Sequence, residues 1–308
     1  MNSRKFLLAA LFMLGSGAAF AQSNVLNAKT PDEIGKKTEA EMLADNDNPM
    51  PYGYVGDRDI LFSKRVWEVI DLDERINFPL YFPVEDNLGE NRKSLFNVLI
   101  TAIRNGEITE VYSDSYFRDK IAPENIEQLF IYKELNSFGI EVTNQNLGKS
   151  EEELKAEGLL TAEHYDTSEV NAADVTKYMI EGYWYFDKRQ GELKYRMIGI
   201  CPMAVDALTK MRLGSEAEPI QLFWVYFPAA RNVLHKADAF NERNSSMPIT
   251  FDHLLNSRRF SAVIVKVENV YGDRLIEDYM KENAQMQLLE AERLKEVIRN
   301  FEQDMWNY

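Results

Sequence analysis

The stretch NFPLYFP at residues 77–83 returns, with a different opening, as LFWVYFP at residues 222–228. Tyr-Phe-Pro closes an apolar run both times. With 15 Tyr, 17 Phe and 10 Pro in 308 residues, composition alone predicts well under one such tripeptide. Two copies in matching contexts read as one structural corner in two related halves. The competing readings are a shared grammar of strand ends and an aromatic ligand-binding box.

The neighbourhoods of the two copies run in parallel. VWEVIDL (66–72) is β-branched and aromatic with rough alternation, which predicts a strand. FPLYFP follows as a short extended piece framed by Pro79 and Pro83, since proline cannot donate to a sheet ladder. Ser94 then caps a helix carrying Leu95, Leu99, Ala102 and Ile103 at helical spacing, Gly106 stops it, and EITEVY (107–112) reads as a strand. In the second half, YMIEGYWYF (178–186) and LKYRMIGI (193–200) are strands, and QLFWVYFP (221–228) is another. A helix opens at Thr250, and FSAVIVKVENVY (260–271) closes the half as a strand.

The expected fold is α+β, with two related strand-strand-helix-strand halves, an extended N-terminal arm and a long C-terminal helix. The boundaries are a signal segment at 1–21, a flexible arm at 22–58, a first half at 59–133, a linker at 134–176, a second half at 177–272 and the helix at 273–308. Within the linker only an acidic helix at 151–157 is expected. From Asp273 to about Trp306 no proline interrupts the pattern, and Leu294, Val297, Phe301 and Met305 share one face with Ile298 beside them. That face is the candidate partner-binding surface, because a helix of thirty-odd residues would reach about 50 Å; the competing reading is that the helix packs along its own domain.

The beginning of the chain carries an address. Arg4 and Lys5 precede the apolar run Phe6–Leu14, and Ala19-Phe20-Ala21 places a cleavage site between Ala21 and Gln22. The apolar run is too short to span a bilayer, and Gln22 is not the cysteine that lipid anchoring would need. Loss of residues 1–21 removes Arg4 and Lys5 and no acid, taking the formal charge from −15 to −17. Such a chain repels nucleic acid and anionic lipid. Cys201 is the only cysteine, so stability rests on core burial rather than on internal disulfides.

Catalytic patterns are thin. His164, His235 and His253 are far apart in sequence, so no HExxH-type metal pair exists. LGKS (147–150) lacks the earlier glycine of a phosphate loop, and DNDNP (45–49) departs from a calcium loop at Pro49 and Met50. Cys201 ends a buried strand with nothing nearby in sequence to activate it. No catalytic, cofactor or metal site is assigned. A glycan-binding protein or glycoside hydrolase is the alternative, with YWYF (183–186) and Trp224 offering rings to stack on sugar.

Five blocks carry a resemblance: RVWEVIDLDERINFPLYFP (65–83), SLFNVLITAIRNGEI (94–108), EGYWYFDKRQGELKYRMIGICP (181–202), LFWVYFPAARNVL (222–234) and FDHLLNSRRFSAVIVKVENVYGDRLIEDY (251–279). In this order they resemble the gliding-motility protein N family, GldN or PorN, over about residues 60–280. The resemblance implies a non-enzymatic subunit of the type IX secretion and gliding machinery of Bacteroidetes. It implies a periplasmic place against the outer membrane, a ring shared with a GldK- or PorK-type lipoprotein, and no catalytic residues. Contact with the periplasmic part of an inner-membrane motor component is a further expectation for the C-terminal helix.

Overall fold

The computed structural model describes residues 48–85, 93–146, 148–214, 217–240, 249–270, 272–281 and 283–306. The cleavage residues Ala21 and Gln22, and most of the arm, lie outside them. In chain order the elements begin with β1 (Ile60–Asp71), α1 (Phe78–Tyr81), α2 (Leu95–Arg104), β2 (Val111–Tyr112), α3 (Pro123–Phe130) and β3 (Ile131–Leu135). Next come α4 (Ser137–Gln145), α5 (Glu151–Ala156), β4 (Tyr165–Glu169), β5 (Val175–Asp187), β6 (Glu192–Ala204), α6 (Ala207–Leu213), β7 (Ile220–Gln221) and β8 (Trp224–Tyr226). The last are α7 (Phe227–Lys236), β9 (Asp238–Ala239), β10 (Ile249–Thr250), α8 (Phe251–Asn256), β11 (Val263–Val267), α9 (Ile276–Tyr279) and α10 (Ala284–Trp306).

The α+β class holds, and its centre is one antiparallel sheet in the order β11-β1-β5-β6-β8-β2, with β7 added to β6. Strands from both expected halves interleave in it: β1 lies between β11 and β5, and β2 pairs with β8. β5 is bonded on both edges, to β1 and to β6, and carries Tyr178 and Ile180 into the main core. Leu95 and Leu99 of α2, with Phe227 and Leu234 of α7, complete that core. Ser94 accepts from the Asn97 N–H as the cap of α2, and Gly106 turns the chain out of the helix at φ +73°, both as the sequence indicates. A bidentate pair, Arg231 Nε and Nη2 donating to Asp252 at 2.8 and 3.0 Å, bolts α7 to α8.

The two Tyr-Phe-Pro corners are not equivalent. The first is not extended: Phe78–Tyr81 is a helical turn, closed by Phe82 N–H donating to the Phe78 carbonyl, and the Phe82–Pro83 bond is cis. Pro79 and Pro228 both sit in the first turn of a helix, where a missing N–H costs nothing. Tyr-Phe-Pro therefore ends one helix and begins the other. Buried Asn77, which donates to the Asp71 and Ser261 carbonyls and accepts from the Ser261 N–H, anchors the first corner.

Two further expectations change. The expected linker at 134–176 holds more than its acidic helix: β4 pairs with β3, α4 lies between them in sequence, and Leu154, Leu160 and Val170 are buried. Its low apolar density hid an antiparallel strand pair half exposed to water. The C-terminal helix begins at Ala284 rather than Asp273, after the short α9, and its 23 residues reach about 35 Å. Ala291 and Ile298 of α10 pack with Val66, Ile264 and Val267 of the sheet, and Phe301 stacks on Phe62 at 4.4 Å. The helix is thus a structural layer, and cutting it away would strip a core. Ile298→Ala should cost about 2–4 kcal/mol in denaturant unfolding, whereas Val297→Ala, at an exposed site, should stay within about 0.5 kcal/mol.

Candidate functional site

On β1, Val66, Glu68 and Ile70 alternate with Arg65, Trp67 and Val69, so the second set points away from the main core. Register places Trp67 opposite both Glu181 and Lys266, and Arg65 opposite Tyr183. A bulge in the β1–β11 ladder after Trp67 lets both Val265 and Lys266 reach this side. Residues 113–119 fold over it. Asp114 shapes that loop by accepting from the N–H groups of Tyr116, Arg118 and Asp119 at 3.2, 3.0 and 3.3 Å. Phe117 then descends onto Gly199, where a Cβ would stand 2.6 Å from its ring, so only glycine admits the loop.

Charge concentrates beneath this loop. Glu181 is fully buried, and Arg65 donates closely to its Oε1. The Arg65 guanidinium lies 4.9 Å from the Trp67 ring centre and 4.7 Å from that of Tyr116. Lys266 Nζ sits 4.0 Å over Trp67 and donates to the Tyr116 hydroxyl at 3.0 Å. Tyr116 in turn donates to Asp273 at 2.7 Å, and Asp273 accepts from the Asn269 N–H at 2.8 Å.

Burial sets the protonation of this cluster. It pushes the Glu181 carboxyl up to about 7 despite Arg65 and Lys266, and Glu181 Oε2 accepts no hydrogen bond among the described residues. Burial and the bond to Asp273 raise the Tyr116 hydroxyl to about 12, and burial lowers Lys266 against the pull of Asp273 and Glu181. Burial opposes the charge of Asp273, but the Tyr116 hydroxyl, the Asn269 N–H and Lys266 hold its carboxyl below the ordinary value. The arrangement fastens two loops to a sheet. Its acids and bases face one another.

A second buried glutamate lies on the core side. Glu68 accepts from Arg258 Nη2 at 2.8 and 3.0 Å, and that guanidinium lies 4.0 Å from the Tyr195 ring centre and 5.0 Å from that of Trp184. Of the rings in the glycan reading, Trp224, Tyr185 and Phe186 are buried, while Tyr183 and Trp184 are half-buried. Cys201 is buried, and burial raises its thiol. No group of three or more His, Cys, Asp or Glu placed to hold a metal occurs among the described residues. No described helix is long and apolar enough to cross a membrane.

Comparison with protein families matches residues 55–307 to the gliding motility associated protein GldN. The chain belongs to the GldN family. No curated protein matches it. Residues 55–307 take in every strand of the sheet, both glutamate clusters and α10. GldN is a family of structural components associated with gliding motility.

The four residues placed on one face of the C-terminal helix divide. Leu294 and Phe301 turn inward against the sheet, while Val297 and Met305 stand exposed. Sequence reading passed over Glu68 and Glu181. The available signal was a lone acid inside each of two apolar strands, VWEVI and MIEGY.

A pH test isolates Glu181. Its folded value lies above the ordinary carboxylate value, so its stabilising contribution is complete below about 4.5 and is lost as pH rises through about 7. Asp273 acts in a separate window, below its ordinary value of 3.8. Unfolding free energy measured from pH 5 to 8 should therefore fall in the wild type by up to about 1 kcal/mol per pH unit. Glu181→Gln should flatten that slope. An equal slope in both proteins would remove Glu181 from the account.

Proposed function

We propose that this GldN-family chain is a non-enzymatic scaffold of the type IX secretion and gliding machinery. It works in the periplasm against the outer membrane, in a ring built with a lipoprotein partner of the GldK or PorK type. The observation that carries this reading is the family match over residues 55–307. The site geometry supports it: the buried acids are spent on holding loops, and the indole of Trp224 is enclosed. Surface side chains offer contact points for neighbours. Ile76, Phe78 and Phe82 are exposed around α1, with the two phenyl rings edge to face at 5.3 Å. Val297 and Met305 of α10 remain available to a motor component, while Leu294 and Phe301 hold the helix down.

Affinity purification through a tagged chain from detergent-extracted outer membranes should yield ring-shaped particles in negative-stain images, with a lipoprotein present. Deletion of the gene should stop both secretion and gliding. Recovery of a free monomer, with secretion intact in the deletion strain, would overturn the proposal.

A further inference from the structure

Ahead of β1 the chain runs as a strap, residues 49–55, that carries no charged side chain. Met50, Pro51, Gly53 and Tyr54 are exposed, and Tyr52 is the anchor. Its ring lies 4.7 Å from the Arg196 guanidinium and 4.3 Å from that of Arg231, and its hydroxyl donates to Asn256 Oδ1 at 2.9 Å. Arg196 also donates to the Gly53 carbonyl at 3.0 Å.

The socket that receives Tyr52 is built by three elements: β6 brings Arg196, α7 brings Arg231 and α8 brings Asn256. Buried Asp252 fixes two of them, accepting from Arg231 Nε and Nη2 at 2.8 and 3.0 Å and from Asn256 Nδ2 at 2.8 Å. These bonds lie within the folded body, so the socket keeps its form without the strap. Its charges are also answered from within: Arg231 by Asp252, and Lys194 at the rim by Glu192 at 3.7 Å. What it offers an occupant is the flat faces of two guanidiniums, the Asn256 amide oxygen and one Arg196 N–H. A neutral aromatic ring with a hydroxyl donor, followed by a backbone carbonyl, answers all of them. The strap is that occupant.

The strap is tied to the body at Asp59, whose carbonyl accepts from the Lys188 N–H at 2.8 Å. The tether between the two points, residues 53–58, spans up to about 20 Å when extended. Gly53 is uncrowded, since a Cβ added there would meet nothing within 4 Å. Tyr52 of a second copy would make the same contacts as Tyr52 of the first, so exchange sacrifices none of them.

We propose that the Tyr52 socket is an interface between two copies of this chain. The strap of one copy leaves its own socket and seats Tyr52 against Arg196, Arg231 and Asn256 of the next. A short tether gives the strap an effective concentration in the millimolar range at its own socket, so exchange takes over where copies are crowded together. Each copy carries one strap and one socket, which lets the exchange run head to tail. It needs only copies of this chain and no lipoprotein, so it stands or falls separately from the ring.

The test uses full chains in two complementary variants. An isotopically heavy copy carries Gly53→Cys and Arg196→Glu, with its strap intact and its socket broken. A light copy carries Tyr52→Ala and Lys194→Cys, with its socket intact. Gly53 and Lys194 line the same cavity, and the native Cys201 is buried. Mixed and treated with a short bismaleimide, the pair should give heavy–light crosslinks in mass spectra. Their yield should exceed by about tenfold or more that of a control whose heavy copy also carries Tyr52→Ala. Asn256→Ala, at an exposed residue, is a second way to break the heavy copy's socket and should give the same result. In a single chain carrying only Gly53→Cys and Lys194→Cys, the intermolecular product should grow as protein concentration approaches about 1 mM. Equal yields with and without Tyr52, or a solely intramolecular product at every concentration, would each overturn the proposal.

Discussion

The structure depends on β5 being hydrogen-bonded along both edges. β1 takes one side over Lys177–Asp187 and β6 the other over the whole strand, so its backbone groups are satisfied and the strand can be buried on both faces. That placement obliges nearly every side chain of the strand to be apolar or aromatic. Glu181 is the exception in its middle, and it is tolerable only because Arg65 of the neighbouring strand arrives with it. A buried pair of this kind adds little net stability over a well-packed apolar one. Its consequence is positional: Arg65 also donates to the Ser115 carbonyl and stacks with Tyr116, so the charge inside the sheet fixes which loop covers it.

Periodicity made much of this legible before any coordinates. The alternation in residues 66–72 and 178–200, and the capped helix after Ser94, follow from local rules that the fold obeys. What escaped was decided by long-range partners. FPLYFP reads as extended because prolines usually frame strands, yet Asn77 ties its start to Ser261, 184 residues on, and Pro79 fits the first turn of a helix equally well. The pairing of β3 with β4 joins stretches 29 residues apart, one of them the polar YDTSE, so no window of sequence reveals it. The C-terminal helical pattern is correct from Ala284, but the face it presents belongs partly to the sheet. Only the pairing of β1 with β11 shows which part.

The candidate site was less visible still. Fifty acidic residues make any one glutamate unremarkable by count. Glu68 and Glu181 differ from the rest only in standing at the centre of apolar strands. Their arginines come from different places: Arg65 lies across the ladder from Tyr183, two residues beyond Glu181, whereas Arg258 comes from the turn after α8. Family membership adds what neither acid reveals, namely an association with gliding motility.

An assembling subunit must make many contacts without joining neighbours strand to strand. Here the chain covers both outer sheet edges with its own backbone at Lys120 and Leu275, which blunts the commonest route to uncontrolled sheet growth. Copies of net charge −15 also repel one another on close approach, within about 8 Å at physiological salt. Contact between copies therefore has to outweigh that repulsion, through exposed apolar groups such as Phe78 and Phe82, or be relayed by a partner of opposite charge. The ring proposed above, shared with a second protein, would meet these conditions. In that proposed ring the partner would supply the cohesion that like-charged copies lack, while the bridged outer edges would hinder one sheet from recruiting the next.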